Sequence, residues 1–364
     1  MTKVCFLVSS LCNEGPVNVM YNIIRYMDFA RYEVSIITLV PEKKTTRIDD
    51  FKRLPLSIHP LAPDSPLNPW DMLMALRREV NAISPQILHA HCPRSLYLMY
   101  FLPGKYKKIY TIHSPGMHQK ILYGKLKGTI VCWLNDFFAR RMDLSIGCSE
   151  SVGDFYKKRK GWDIPCIPNG SSLPVWKNDP AYRKQLRQAF GLREDIQYFI
   201  FIGRFSGEKN PAMLIDTFKK RGDAPIGLIM LGDGPLWQSL KEKESERILL
   251  PGFKTNIYDY LIASDFYISA SDVEGLANSL LESMTVGLPM LLSDIPSHRE
   301  VMSKMTRATG YLFDQKDPES LSENINNLLK IDKAAATQEI HSIFQAYYTA
   351  EKMSLSYQNI YQNI

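Results

Sequence analysis

Short apolar runs alternate with segments of helical periodicity along most of the chain, and this pattern predicts alternating β-strands and α-helices. In the first half the runs predict strands at 3–9, 34–39, 87–90, 108–112 and 144–148, and helices at 17–27, 71–83 and 129–141. Strands that alternate with helices favour a parallel sheet with right-handed crossover connections.

The same alternation begins again after a Pro-, Gly- and Ser-rich run at 166–180, which is typical of an interdomain linker. Strands are predicted at 198–203, 226–231, 248–250 and 266–269, helices at 212–220, 236–245 and 257–263, and a final helical segment at 338–363. The pattern predicts two doubly wound α/β domains facing across a cleft. Ligands of such sheets bind at the carboxyl ends of the strands.

Length and composition are those of a two-domain globular protein. The chain has 364 residues, of which 45% are apolar and 23% charged. It lacks the run of about 18 apolar residues that a membrane-spanning helix needs, and its N-terminal apolar run is interpreted as a strand rather than a signal peptide. The six cysteines are scattered without metal-ligand spacing, as expected of reduced thiols in the cytosol.

Charge is unevenly distributed between the two halves. Residues 1–175 hold 23 Lys and Arg against 14 Asp and Glu, whereas the remainder holds 21 against 24. The first half is therefore the basic half of a chain whose net charge is +6.

The stretch 269–294 predicts the end of a strand, a loop, a short helix and another strand. Glu274 and Glu282 lie in it, separated by seven residues. Ser279 and Glu282 fit a capping box, in which Glu282 only secures the helix. Even so, the helix is expected to begin near Asn278 with free amides and the positive end of its dipole.

Other strand ends also carry candidate chemistry. Arg204 and Lys209 follow the strand that ends at Gly203, and two cations there suit a diphosphate, although solvated loop charges are an equal alternative. The Gly232 to Pro235 turn is either a ligand loop or an ordinary turn.

The first half carries four further candidate positions. Gly15 opens a possible phosphate turn, or a simple helix start because Pro16 follows it. His113 ends a strand, where a structural role is the alternative; His89 and His91 can face opposite sides of the sheet.

In order along the chain, the motifs GRFSGEK, LGDGP, LPGF, EGLANSLLE and GLPMLLSD resemble the family 4 retaining glycosyltransferases of the GT-B fold. The resemblance covers nearly all of 198–300 and extends more loosely to the first βα turn, YTIHS at 110–114 and IPNG at 167–170. It implies an N-terminal acceptor-binding domain at 1–172, joined by a C-terminal helix at about 345–364, and a nucleotide-sugar-binding domain at 173–344.

The resemblance also implies roles for individual residues. Arg204 and Lys209 would bind the donor diphosphate and stabilise the leaving group, and Glu274 and His113 would contact the transferred sugar. Glu282 would bind the ribose. The remaining implied donor contacts are Gly15, Gly203, Gly232, Gly234, Phe253, Lys254, Leu276, Ala277, Asn278 and Ser279.

Two departures from the family pattern stand out. Pro16 replaces the second glycine of the first turn, and Leu276-Ala277-Asn278 replaces the usual aromatic and glycine after Gly275. No metal or other cofactor is expected: there is no D-x-D motif, and the D-x-E at Asp272 is a minor alternative because cations already serve the phosphates.

Basic residues flank apolar and aromatic ones at 100–142, which favours contact with an anionic membrane or with the acceptor; a solvated basic face is the alternative. They are Lys105, Lys107, Lys108, Lys120, Lys125, Lys127, Arg140 and Arg141. No nucleic-acid-binding motif accompanies them.

The sequence therefore predicts a cytoplasmic enzyme, peripheral at the inner face of the cell membrane. It would move a hexose or N-acetylhexosamine from a nucleotide sugar, with UDP preferred, to a glycan such as a lipid-linked polysaccharide intermediate. The alternatives are a nucleotide-sugar epimerase of similar fold and a non-catalytic module that binds nucleotide sugar.

Overall fold

The structure is a computed structural model that describes residues 1–116, 118, 121, 123–173, 179–222 and 224–364. Contacts divide the chain into two compact units, the first formed by Met1–Gly170 with Ala350–Ile364 and the second by Ser171–Thr349. These boundaries lie within a few residues of the predicted ones, but 345–349 belongs to the second unit. Part of the predicted linker, 174–178, lies outside the described residues.

The first unit contains a six-stranded parallel sheet in the order β3-β2-β1-β4-β5-β6. Its strands are β1 Thr2–Val8, β2 Tyr32–Thr38, β3 Leu56–Pro60, β4 Ile87–Ala90, β5 Lys107–Ile112 and β6 Leu144–Gly147. Its first helices are α1 Gly15–Arg25, α2 Ile48–Lys52, α3 Pro69–Ile83, α4 Pro93–Phe101, α5 Lys125–Ala139 and α6 Glu150–Lys160.

The second unit repeats this plan, with the order β12-β11-β10-β7-β8-β9. Its strands are β7 Gln197–Ile202, β8 Ile226–Leu231, β9 Ile248–Gly252, β10 Phe266–Ser269, β11 Met290–Ser293 and β12 Gly310–Phe313. Its helices are α7 Pro180–Ala189, α8 Pro211–Lys220, α9 Trp237–Lys241, α10 Ile257–Ala263, α11 Asn278–Val286, α12 Pro296–Met302, α13 Pro318–Leu328 and α14 Lys333–Tyr347.

Each sheet is covered on both faces, as the apolar strands predict. Along β1, Val4 and Phe6 enter one core and Cys5 and Leu7 the other, because successive side chains of a strand point to opposite faces. The second sheet divides its residues in the same way. The predicted doubly wound α/β architecture is confirmed.

The C-terminal region, predicted as one helix, forms two helices. Helix α14 ends at Tyr347, and a separate helix, α15 Ala350–Asn363, packs in the first unit against α1. Its Met353, Tyr357 and Tyr361 enter the same core as β1. The segment expected to return to the first domain is thus α15 alone.

Candidate functional site

The loops after β7 and β8 are held together by backbone contacts. Gly203 donates to Leu231 over 3.0 Å, and Phe205 donates to the carbonyl of Asp233 over 2.9 Å. Gly232 has φ of +144°, and a Cβ atom there would lie 1.9 Å from the Gly203 carbonyl oxygen. Only glycine fits this close approach, so the fold itself requires glycine at position 232 whether or not a ligand binds.

Gly234 completes this turn. Its amide donates to Asp233 Oδ1 over 2.7 Å, and a Cβ at this position would lie 2.6 Å from the Phe205 carbonyl oxygen. The structure thus brings the predicted ligand glycines Gly203, Gly232 and Gly234 to one place at the carboxyl edge of the second sheet.

The loop after β7 is also fixed to the loop after β10. A short 3-10 turn, Gly207–Lys209, ends at Asn210, whose φ of 48° places it in the left-handed region. The Asn210 side-chain nitrogen, Nδ2, donates to the Ala270 carbonyl over 3.0 Å and to Asp272 Oδ1 over 2.6 Å. Because β7 and β10 are neighbours where the strand order reverses, this junction is the topological switch point of the sheet.

Lys209 and Glu274 meet at this switch point. The Lys209 ammonium donates to Glu274 Oε1, which also accepts a hydrogen bond from Ser271 Oγ over 2.8 Å. Both side chains are largely shielded, with exposed fractions of 18% and 12%. Burial acts to raise the pKa of Glu274, but the charge and hydrogen bond of Lys209 hold it below its usual value.

Arg204 differs from Lys209 in its surroundings. It lies on the same loop but is exposed, and none of the ion pairs among the described residues includes it. Phe253 is exposed as well, and with Lys254 it follows the end of β9. The structure therefore places these residues at the same sheet edge as Lys209.

Helix α11 begins at Asn278, as expected, but the capping-box interpretation is wrong. Ala277 is the N-cap and makes no side-chain hydrogen bond. The Ser279 hydroxyl instead pairs with the Tyr267 hydroxyl over 2.9 Å. Leu276 is buried, and Glu282 is half-buried one turn into the helix.

His298 is a residue of this site that sequence reasoning missed. It lies in α12 fully buried, and its Nδ1 donates to the Ser293 carbonyl over 2.8 Å. Burial lowers the pKa of His298 to about 4, with opposing contributions from the Ser293 hydrogen bond and the nearby Glu274 charge. The sequence signal was a histidine two residues after Pro296, which alone does not point to a site.

In the first unit, three histidines form a cluster at the ends of β4 and β5. His91 Nδ1 lies 3.1 Å from His113 Nε2, and the His89 and His91 rings are 4.3 Å apart. The expectation that His89 and His91 face opposite sides is wrong, since residues two apart along a strand share a face. Burial lowers the pKa of His89 and of His113 to about 3, so the cluster is neutral at physiological pH.

Helix α15 supplies hydroxyl groups to this cluster. Tyr361 lies 2.7 Å from His89 Nδ1, and Thr111 lies 2.8 Å from His89 Nε2. Tyr357 in turn pairs with the Thr111 hydroxyl over 3.0 Å. The C-terminal helix therefore fixes His89, whose ring packs on His91.

The first βα turn offers less to a phosphate than the resemblance implies. Helix α1 begins at Gly15, with Pro16 in its first turn, and its N-cap Glu14 makes no side-chain cap hydrogen bond. Glu14 pairs with Lys43 over 3.4 Å at the surface. A carboxylate at this helix start opposes an anionic ligand.

The predicted basic surface is only partly free. The half-buried Lys108 ammonium donates to the Tyr100 and Leu102 carbonyls over 3.3 and 2.7 Å at the end of α4, so it is held against the protein. Lys120 lies outside the described residues. Six of the predicted cations are exposed: Lys105, Lys107, Lys125, Lys127, Arg140 and Arg141.

The described residues lack two features, a metal-binding cluster and a membrane-spanning helix. They contain no group of three or more His, Cys, Asp or Glu side chains arranged to hold a metal ion. Within the same residues, none of the helices has the length and apolar character required to cross a membrane.

Both units match known sequence families. Residues 14–173 match the family described as Glycosyltransferase Family 4, and residues 182–340 match the family described as Glycosyl transferases group 1. Together these regions include nearly every candidate residue named above.

Individual relatives align at low identity. TuaC of Bacillus subtilis, named for teichuronic acid biosynthesis, is 24% identical over 60% of this chain and 56% of its own length. The O-antigen biosynthesis glycosyltransferase WclY of Escherichia coli is 24% identical over 100% of this chain and 98% of its own. An Escherichia coli UDP-Gal:alpha-D-GlcNAc-diphosphoundecaprenol alpha-1,3-galactosyltransferase is 29% identical over 46% of this chain and 45% of its own.

A solved structure agrees over the whole fold. HepE from Anabaena, in complex with UDP and glucose, superposes with a TM-score of 0.84 at 16% identity, covering 100% of both chains. At this identity the agreement establishes the shared fold.

Proposed function

Because the chain belongs to glycosyltransferase family 4, we propose that it transfers a hexose or N-acetylhexosamine from a UDP-sugar to a lipid-linked glycan. The observation that carries the proposal is the ion pair of Lys209 and Glu274 at the switch point of the second sheet. Ligands of doubly wound sheets bind where the strand order reverses. A cation placed there suits a nucleoside diphosphate.

The leaving-group chemistry follows from the charges at this edge. Breaking the bond between sugar and diphosphate adds negative charge to the β-phosphate, and preorganised cations and amides stabilise such charge. An ammonium group has three donors, so Lys209 can keep Glu274 and still donate to a phosphate oxygen. Arg204, without an ion pair among the described residues, and the positive dipole end at the start of α11 supply further positive potential.

The remaining donor contacts are assigned by family resemblance. The close approach of Gly203, Gly232 and Gly234 fixes the shape of the loop that we propose lies against the nucleotide. Phe253 and Lys254 are proposed near the base, Glu282 at the ribose and Glu274 at the sugar hydroxyls. His113 of the first unit is kept as a sugar contact on the resemblance alone.

We propose that transfer retains the anomeric configuration of the donor sugar. We also propose that it needs no metal ion. With cations and helix amides on the diphosphate, no divalent ion is needed to neutralise the leaving group. In front-face transfer the departing phosphate helps to deprotonate the acceptor hydroxyl, and the new bond forms on the face that the leaving group vacates.

The acceptor and its location are inferred from two facts. Relatives are named for O-antigen and teichuronic acid biosynthesis, and one acts on a diphosphoundecaprenol-linked sugar. The exposed cations of the first unit suit anionic lipid, at up to about 1 kcal/mol for each cation near the surface. These facts support our proposal that the enzyme works at the inner face of the cell membrane.

Mass spectrometry of products from a panel of nucleotide sugars and lipid-linked acceptors tests the proposal. We expect one sugar to be added, with NMR showing that the anomeric configuration of the donor is kept. Turnover of donor without acceptor would support an epimerase instead. Binding of UDP-sugars with no turnover of any acceptor would support a binding module.

A further inference from the structure

Helix α5 carries an apolar stripe on its outward face. Leu126, Ile130 and Trp133 follow one another at helical spacing, and their exposed fractions are 78%, 52% and 60%. Phe137, half-buried, continues the same face, and its ring stacks on Trp133 with centroids 5.3 Å apart. Residues four and three apart on a helix lie side by side, so these side chains form one surface.

The opposite face of α5 is already used for folding. Gly128, Cys132 and Ala139 are buried on that side, and the helix packs against α4. The outward stripe is therefore not the core face of a displaced helix. A contiguous exposed apolar patch of this kind marks an interaction surface.

The exposed charges in the first turn of α5 and directly after its last residue are basic. Lys125 and Lys127 are exposed in its first turn, and Arg140 and Arg141 are exposed just beyond its end. The acidic residue inside the helix, Asp136, is buried and paired with Lys160 over 3.1 Å. An apolar stripe bordered by cations is complementary to a layer that is anionic outside and apolar beneath.

The aromatic residues fit the same layer. Trp and Tyr concentrate at membrane interfaces, where an apolar ring meets a polar boundary. The Arg141 guanidinium lies over the Phe137 ring, 3.4 Å from its centroid. This contact places the guanidinium at the edge of the stripe.

We infer that α5 lies in the plane of an anionic bilayer, with Leu126, Ile130 and Trp133 inserted at the boundary between headgroups and acyl chains. Lys125, Lys127, Arg140 and Arg141 then contact lipid phosphates. The inference rests on the proposed membrane contact and deepens it: apolar insertion holds the protein, and charge attracts it. Interfacial helices combine these two contributions.

Vesicle co-sedimentation with the full chain tests this inference. The probe vesicles contain phosphatidylglycerol and phosphatidylethanolamine, with phosphatidylcholine vesicles for comparison. We expect the variant Leu126→Ser, Ile130→Ser, Trp133→Ser to lose at least about tenfold in partitioning to anionic vesicles. High salt should weaken binding of the wild type without abolishing it.

A matched control is available on α3. Trp70 and Met74, also exposed and spaced four residues apart, lie outside the α5 stripe. The variant Trp70→Ser, Met74→Ser should partition like the wild type. Equal loss in both variants would show a nonspecific effect of surface polarity and overturn the inference.

Two other results would also overturn it. The triple variant could bind vesicles as well as the wild type, or light scattering could show that the stripe joins two copies of the chain that separate in the variant. Transfer to a water-soluble acceptor separates this inference from the proposed function. If the inference is correct, the triple variant keeps that activity and loses transfer only to acceptor embedded in vesicles.

Discussion

Lys209 and Glu274 come from the ends of two neighbouring strands and form an ion pair that is largely shielded from solvent. In Lys209→Ala the Glu274 carboxylate loses its strongest stabilising partner but stays mostly buried. We expect transfer to fall at least about tenfold, and the free energy of unfolding to fall by about 2 kcal/mol, below the cost for a fully buried pair.

A double variant separates the two effects of Lys209. Lys209→Ala with Glu274→Gln removes the unpaired charge, so the denaturation midpoint should recover toward the wild type while transfer stays low. Recovery of both properties together would mean that Lys209 acts only through folding. Urea denaturation and initial-rate assays on the same preparations decide the matter.

Arg204→Ala should reduce the rate of transfer without changing the stability of the protein. Arg204 is exposed and outside the ion pairs of the described residues, so we expect a melting temperature like that of the wild type and a loss of transfer of at least about tenfold. Near-normal transfer in both Arg204→Ala and Lys209→Ala would refute the cationic leaving-group mechanism.

Gly232→Ala tests the close approach of the loops after β7 and β8. The added Cβ would lie 1.9 Å from the Gly203 carbonyl oxygen at a φ of +144°, so one loop must move. We expect UDP affinity, measured by calorimetry, to fall by at least about tenfold. Gly207→Ala is the control, since a Cβ there meets nothing within 4 Å; equal losses would argue against a specific nucleotide loop.

The buried histidines predict a stability that depends on pH. His89 has a pKa lowered to about 3 by burial, with a contribution from His113, whereas an unfolded histidine titrates near about 6.5. The contribution of His89 to the free energy of unfolding is therefore fully present above about pH 6.5 and is lost as pH falls toward about 3. Each such group contributes up to about 1.4 kcal/mol per pH unit.

His89→Gln should reduce that slope by the contribution of one proton. Urea midpoints measured between pH 5 and 6, for the wild type and the variant, provide the comparison. Identical slopes would show that His89 is protonated in the folded protein.

Removal of divalent metal tests the proposed reliance on cations and helix amides. We expect transfer in excess EDTA to match transfer in added magnesium, because Lys209, Arg204 and the start of α11 are proposed to serve the diphosphate. A loss of activity with EDTA that added metal reverses would overturn this part of the mechanism.

The sequence predicted the strands of both sheets well where apolar runs were unbroken, as at Ile226–Leu231 and Phe266–Ser269, which match the structure. It missed α4, because Pro93–Phe101 is a short aromatic helix whose pattern has no clear period. It also missed β3, where Leu56–Pro60 ends in proline and lies at the sheet edge.

The candidate site was predictable only in part. The motifs identified Lys209 and Glu274, but their pairing depends on the strand order, which places β10 beside β7. The predicted capping role of Ser279 is wrong because its hydroxyl pairs with that of Tyr267, a tertiary partner that local sequence does not reveal. His298 was missed for a similar reason: its burial beside Glu274 comes from packing of distant segments.

The position of α15 has a consequence for how the protein is made. The first unit draws Met353, Tyr357 and Tyr361 into its core, yet these residues follow the whole second unit in sequence. Domains fold as they leave the ribosome, and the second unit is continuous in sequence. The first unit, although synthesised first, must therefore wait with an incomplete core while the second unit is synthesised, so nascent chains should depend on chaperones during that interval.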